Sequence, residues 1–96
     1  MNAQDLTLNI AVNMGRLARW VYEGKTARLA QFMKQTDDYL QQLEAIQKSR
    51  KFEKTFMSFK KKFEKLKESK EYDKIWAEDA LTWANILTHR AKLASP

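Results

Sequence analysis

The sequence predicts an all-α protein folded as an antiparallel four-helix bundle, and three observations carry that prediction. Turn formers are nearly absent: the 96 residues hold two glycines, Gly15 and Gly24, and one proline, Pro96, whereas a sheet needs a turn between each pair of strands. Helix formers (Ala, Leu, Lys, Glu, Gln, Met) fill most other positions. The apolar residues recur at steps of three and four, in stripes that stop and restart.

Leu6, Ile10, Met14, Leu17 and Val21 form the first stripe, which Glu23-Gly24-Lys25-Thr26 interrupts. Gly24 is suited to a left-handed C-terminal cap, and Thr26 is expected to accept amide hydrogen bonds at the next helix start. Leu29, Phe32, Met33, Leu40, Leu43 and Ile46 form the second stripe. QKSRK then carries no apolar residue, and the register changes, which predicts a turn near Ser49. Phe52, Phe56, Phe59, Phe63 and Leu66 make the third stripe, with the spacing of a bundle seam. Ser69 is expected to cap a fourth helix whose face runs Tyr72, Trp76, Ala80, Trp83 and Leu87, flanked by Ile75 and Ile86. The architectural alternative is a three-helix form with the second and third segments fused through Ser49. Either way residues 1–96 make a single domain, enough for one core and too few for two.

Composition narrows the function classes. No cysteine is present, so there is neither a disulfide staple nor a thiolate zinc site, in agreement with a reducing compartment. The amino terminus has an early acid and lacks the basic start and apolar run of a secretory signal, and no stretch approaches the roughly 20 apolar residues of a membrane span. A cytoplasmic protein is the expectation, with membrane association disfavoured.

Catalytic constellations are missing from the pattern. Gly24-Lys25-Thr26 lacks the earlier glycine of a phosphate-binding loop and reads as a cap. The one histidine, His89, has no glutamate three residues before it, as the Glu-x-x-His element of a di-iron bundle requires, and a single histidine makes no multi-histidine metal site. Asp37, Asp38, Glu78 and Asp79 are adjacent pairs that point in different directions on a helix and read as solvated surface. No catalytic, cofactor-binding or metal-binding residue is assigned, and no enzyme activity is expected. His89-Arg90-Ala91-Lys92 does resemble histidine phosphotransfer domains, helical bundles with an exposed phosphoryl-accepting histidine, in its His-x-x-Lys spacing. The resemblance covers those two positions. Family members continue with a lysine-glycine pair, whereas Leu93 follows Lys92 here.

Charge is unevenly placed. From Lys48 to Lys70 ten basic residues stand against Glu53, Glu64 and Glu68, a net of +7, while the whole chain is +6. The positive charge therefore belongs to the third helix. On a helical wheel Arg50, Lys54, Lys61 and Lys65 gather opposite the aromatic seam. Three readings compete for this stripe. It solubilises a helix whose other face is aromatic, with Glu64 partly neutralising Lys60, Lys61 and Lys67; it contacts phosphates of a nucleic acid, or an acidic partner; or it faces anionic lipid headgroups with the phenylalanines in the membrane. Met57 is an isolated apolar residue among these lysines, whereas Met14 and Met33 fall on core faces.

The first helix is apolar on two sides. Leu8, Val12, Gly15 and Tyr22, with Ala11 and Ala18, lie away from its main stripe. A helix apolar on both sides is normally buried on both sides, and a glycine mid-helix is more easily understood where another backbone approaches. These residues are the expected interface of a homodimer. The sequence thus predicts a small, non-catalytic interaction or assembly protein, dimeric through its first helix, with a nucleic-acid-binding bundle as the alternative.

Overall fold

The computed structural model describes residues 1–96 and contains four α-helices: α1 (Ala3–Tyr22), α2 (Leu29–Ala45), α3 (Arg50–Glu68) and α4 (Lys74–Arg90), followed by a single 3₁₀ turn (Ala91–Leu93). Their side-chain pairings run antiparallel between consecutive helices and between α1 and α4. Asn13 donates to Gln35 across α1 and α2, Lys67 and Lys60 meet Asp37 and Glu44 across α3 and α2, and Gly15 faces Ala84. The result is an up-down-up-down bundle of 39 × 20 × 19 Å, about the length of its helices. Ile46 and Ser49 are extended, so the second and third segments are separate helices and the fused alternative is excluded.

Local chemistry sets the boundaries. The Asn2 side chain accepts from the Asp5 amide at 2.8 Å and starts α1. Gly24 ends it with φ +69°, as the sequence implied, while the Lys25 amide donates to the Trp20 carbonyl at 2.8 Å. Two capping expectations are corrected. Thr26 makes no side-chain cap; α2 begins after Arg28, and Thr26 contributes only its carbonyl, 3.2 Å from the Leu29 amide. Ser69 terminates α3, its hydroxyl engaged with the Glu71 backbone, and Asp73 caps α4 by accepting from the Trp76 amide at 2.9 Å. A carboxylate at this position also meets the positive end of the helix dipole, an advantage a serine lacks. Tyr72 consequently lies before α4, its ring edge-on to Trp76 with centroids 5.2 Å apart.

Packing is of two kinds. α1 and α4 approach closely through small residues, with Ala3, Ala11, Ala18, Ala77, Ala80 and Ala84 buried. α3 stands further from its neighbours because large side chains fill the interval: Phe52, Phe56, Phe59, Phe63 and Leu66 are all buried. Burial of each such side chain is worth about 1.5–3 kcal/mol, so the aromatic seam is what retains α3 in the bundle. Buried Thr7 and Thr36 satisfy their hydroxyls on the carbonyls four residues back, both at 2.7 Å, and no buried side-chain polar atom lacks a partner. The segment after α4 is also tied down: the Ser49 amide donates to the Ala94 carbonyl at 3.0 Å, the Ser49 hydroxyl donates to the Leu93 carbonyl, and Ser95 accepts from the Gln4 amide at 3.1 Å.

Candidate functional site

Burial of the phenylalanines on one side of α3 fixes what the other side presents. Eight of the ten lysines and arginines between Lys48 and Lys70 fall into two populations. Lys60 pairs with Glu44, Lys67 lies 3.0 Å from both Asp37 and Glu64, and Lys62 lies 3.3 Å from Asp79. Lys48 donates to the carbonyls of Leu43 and Ile46 at 2.8 and 2.9 Å and sits over the Phe56 ring, neutralising the carboxyl end of α2. These cations are structural: they clasp α3 to α2 and α4.

Arg50, Lys54, Lys61 and Lys65 form the second population. All four are exposed, and none makes an ion pair or a side-chain hydrogen bond. They follow one line about 22 Å long, fifteen residues at about 1.5 Å each. Glu64, expected to offset Lys60, Lys61 and Lys67, is engaged by Lys67 alone, so it leaves Lys61 without a counter-charge. Met57 is exposed on the same line. The phenylalanines proposed for lipid contact in the third reading are instead spent in the core.

The groove between α3 and α4 adds residues that charge counting alone does not find. Two shallow concavities of about 310 and 240 Å³ meet at Trp83 and Ser58. Lys54, Thr55, Ile86 and Arg90 complete the first, and Lys61, Lys62 and Lys65 the second. Trp83 is half-buried, leaning on Phe59 with ring centroids 5.6 Å apart, and its indole N–H has no protein acceptor. Arg90 is held in the groove by donating from Nε to the Thr55 hydroxyl at 2.7 Å. Trp83 belongs to the stripe expected for α4, yet it stands one step off the buried line of that helix, toward the more distant α3, so it packs on the core while remaining reachable. A larger concavity of about 560 Å³ at the Ser49 corner is bordered by Arg50, Lys51 and Lys92, so the basic line continues around that end.

Elsewhere the sequence-derived candidates are dispersed. His89 is exposed in the last turn of α4, lines no concavity and has no hydrogen-bond partner, with Lys92 in the following 3₁₀ turn. Asp37, Asp38, Glu78 and Asp79 each face a lysine, and no group of three His, Asp or Glu side chains converges. On α1, Leu8, Val12 and Tyr22 are exposed by 37%, 51% and 50%. Gly15 is not with them in solvent: a Cβ at this position would lie 3.9 Å from that of Ala84, so the helix it faces is α4 of the same chain. Ala11 and Ala18, four and three residues away on the same helix face, are buried. No helix is long and apolar enough to cross a membrane. No family model matches the chain, and no curated protein or solved structure matches it significantly.

Proposed function

We propose that the protein is a non-catalytic helical-bundle binding module whose working surface is the outer face of α3, directed at a polyanionic partner. The observation that supports this reading is the division of the lysines. Wherever α3 meets another helix its cations find carboxylates, while Arg50, Lys54, Lys61 and Lys65 have none. Unpaired charges of one sign on a line attract an anionic surface in a salt-sensitive manner.

Retention on a heparin column tests it. The native chain is expected to elute at high salt, and replacement of the four unpaired residues by glutamine is expected to bring elution close to the void with helicity intact. Substituting Lys60, Lys62 and Lys67 removes nearly as much charge, yet is expected to lower stability more than retention. Equal loss of retention in both variants would reduce the effect to net charge and defeat the proposal. Self-association through Leu8, Val12 and Tyr22 is a second, independent part of the reading, motivated by their exposure on a single helix.

A further inference from the structure

We propose that the α3–α4 groove binds single-stranded nucleic acid, with Trp83 as a stacking platform for a base and Lys54, Lys61 and Lys65 holding the phosphates on either side. This rests on the polyanion reading and names the partner.

Three features favour a single strand over an acidic protein or a duplex. First, the unpaired cations do not stand on a bare helix but border a groove with an indole in its floor: Trp83 lines both concavities that contain Lys54, Lys61 and Lys65. A cationic track with an aromatic side chain along it is the combination that single strands use, since every base offers a π-face and the backbone supplies charge at each step. A duplex presents phosphates while its bases stay stacked, and would leave Trp83 unused. Second, the polar groups beside the ring are suited to a base or sugar edge. The Trp83 indole N–H is a donor without a protein acceptor, and the Ser58 hydroxyl, which makes no hydrogen bond within the chain, can donate or accept. Third, the carboxylates on the α4 side of the groove are engaged within the chain: Asp79 is paired with Lys62, and Asp73 caps α4. The next concavity along the groove is balanced in charge, with Asp73 and Asp79 lining it beside Lys62 and Lys65, so the net positive stretch offered to a strand runs from Arg50 to Lys65.

Fluorescence anisotropy with a labelled fifteen-nucleotide oligothymidylate, an oligouridylate of equal length, a blunt duplex and a glutamate-rich peptide tests the inference on the full chain. The expected result is salt-sensitive binding of the single strands, with log affinity falling against log salt by about 0.7 for each phosphate neutralised. Trp83→Leu is expected to weaken single-strand binding roughly 5- to 150-fold, Trp83→Phe to restore most of it, and Lys61→Gln with Lys65→Gln to reduce the salt slope. Circular dichroism on each variant separates loss of binding from loss of fold, and the lysine pair, being exposed, reports even if Trp83→Leu is poorly folded. Absence of single-strand binding at low salt overturns the inference. So does duplex binding as tight as single-strand binding and indifferent to Trp83→Leu, or binding of the acidic peptide alone; these two outcomes leave the polyanion reading of α3 standing. Failure to bind heparin, oligonucleotide and peptide alike removes both.

Discussion

The indole nitrogen of Trp76, on α4, donates to the backbone carbonyl of Leu66, at the end of α3, at 3.1 Å. The last carbonyls of a helix have no partner within it, and Leu66 lies in the final turn of α3, where no backbone amide takes its oxygen. Trp76 therefore serves two helix ends at once: its amide is received by the Asp73 cap, and its side chain completes the terminus of α3. The KESKE connection between the two helices is held from the inside by this residue.

Trp76→Phe keeps the aromatic packing but orphans the Leu66 carbonyl. Leaving a buried acceptor unsatisfied costs about 1–3 kcal/mol, so the unfolding free energy is expected to fall by that amount, read in urea as a lower midpoint at an unchanged slope. A change below about 0.5 kcal/mol would mean that water replaces the indole.

The two glycines are expected to respond to alanine with opposite signs. At Gly24 a Cβ meets no neighbour, but φ is +69°, and a left-handed L-residue costs about 1–2 kcal/mol. Gly15 is helical with room for a Cβ at ordinary contact distance from Ala84, so Gly15→Ala is expected to gain up to about 1 kcal/mol of helix propensity. Thermal unfolding of the two variants checks the pair; a destabilised Gly15→Ala would show that α1 and α4 pack too tightly there to yield.

Much of this fold was legible because its signals are local. The phenylalanine seam of α3 and the Gly24 turn need only periodicity and the freedom of one residue to be read. The cap of α4 was misplaced because KESKEYD offers Ser69 and Asp73 as competing caps, and the choice between them depends on Trp76 reaching back to Leu66, a tertiary contact. The same limit applies to the surface. A wheel separates Lys61 from Phe59, but it does not reveal that Lys60 meets Glu44 or Lys62 meets Asp79, since those acids belong to other helices. Gly15 is expected in the interface with a second copy, whereas the structure sets it against Ala84 of α4; which helix faces a mid-helix glycine is not encoded in the periodicity of α1.

Lys67 links α3 to α2 and titrates accordingly. Burial alone lowers its pKa, but the hydrogen bonds it donates to Glu64 and Asp37, together with their charges, outweigh this and raise it above the ordinary 10.5. A raised folded-state value means that the contribution to stability is fully present below pH 10.5 and is lost as pH rises through the shifted value. Lys67→Met is therefore expected to be less stable than the native chain at pH 8, with the difference shrinking at more alkaline pH. A difference that stays constant across that range would show that the charge of Lys67, including the Nζ placed 5.5 Å from the Phe63 ring centroid, is not what stabilises the bundle.

His89 is expected not to accept a phosphoryl group. It sits at the end of α4 with no neighbouring side chain hydrogen-bonded to it to orient the imidazole. Incubation with a small phosphodonor, followed by mass spectrometry at neutral pH, checks this; an acid-labile phosphate that disappears in His89→Ala would contradict it.

Self-association through α1 can be separated from the role of Gly15. α1 is covered by α2 on one side and α4 on the other, which accounts for most of its apolar surface, including Ala11 and Ala18. What remains in solvent is Leu8, Val12 and Tyr22, in company with Arg16 and Arg19. Val12 is the most exposed of the three, and a two-fold pairing of α1 helices would place like residues near like across the axis. Light scattering coupled to size-exclusion chromatography is expected to give a dimer for the native chain at high concentration and a monomer of unchanged helicity for Val12→Glu, because a carboxylate buried in an apolar contact loses its hydration without gaining a partner. Gly15→Ala is expected to leave the dimer intact, since its Cβ would point at Ala84 of the same chain. A native chain that stays monomeric at high concentration removes the α1 interface, and a dimer broken by Gly15→Ala would place the second copy over the α1–α4 seam instead of along the Leu8–Val12 line.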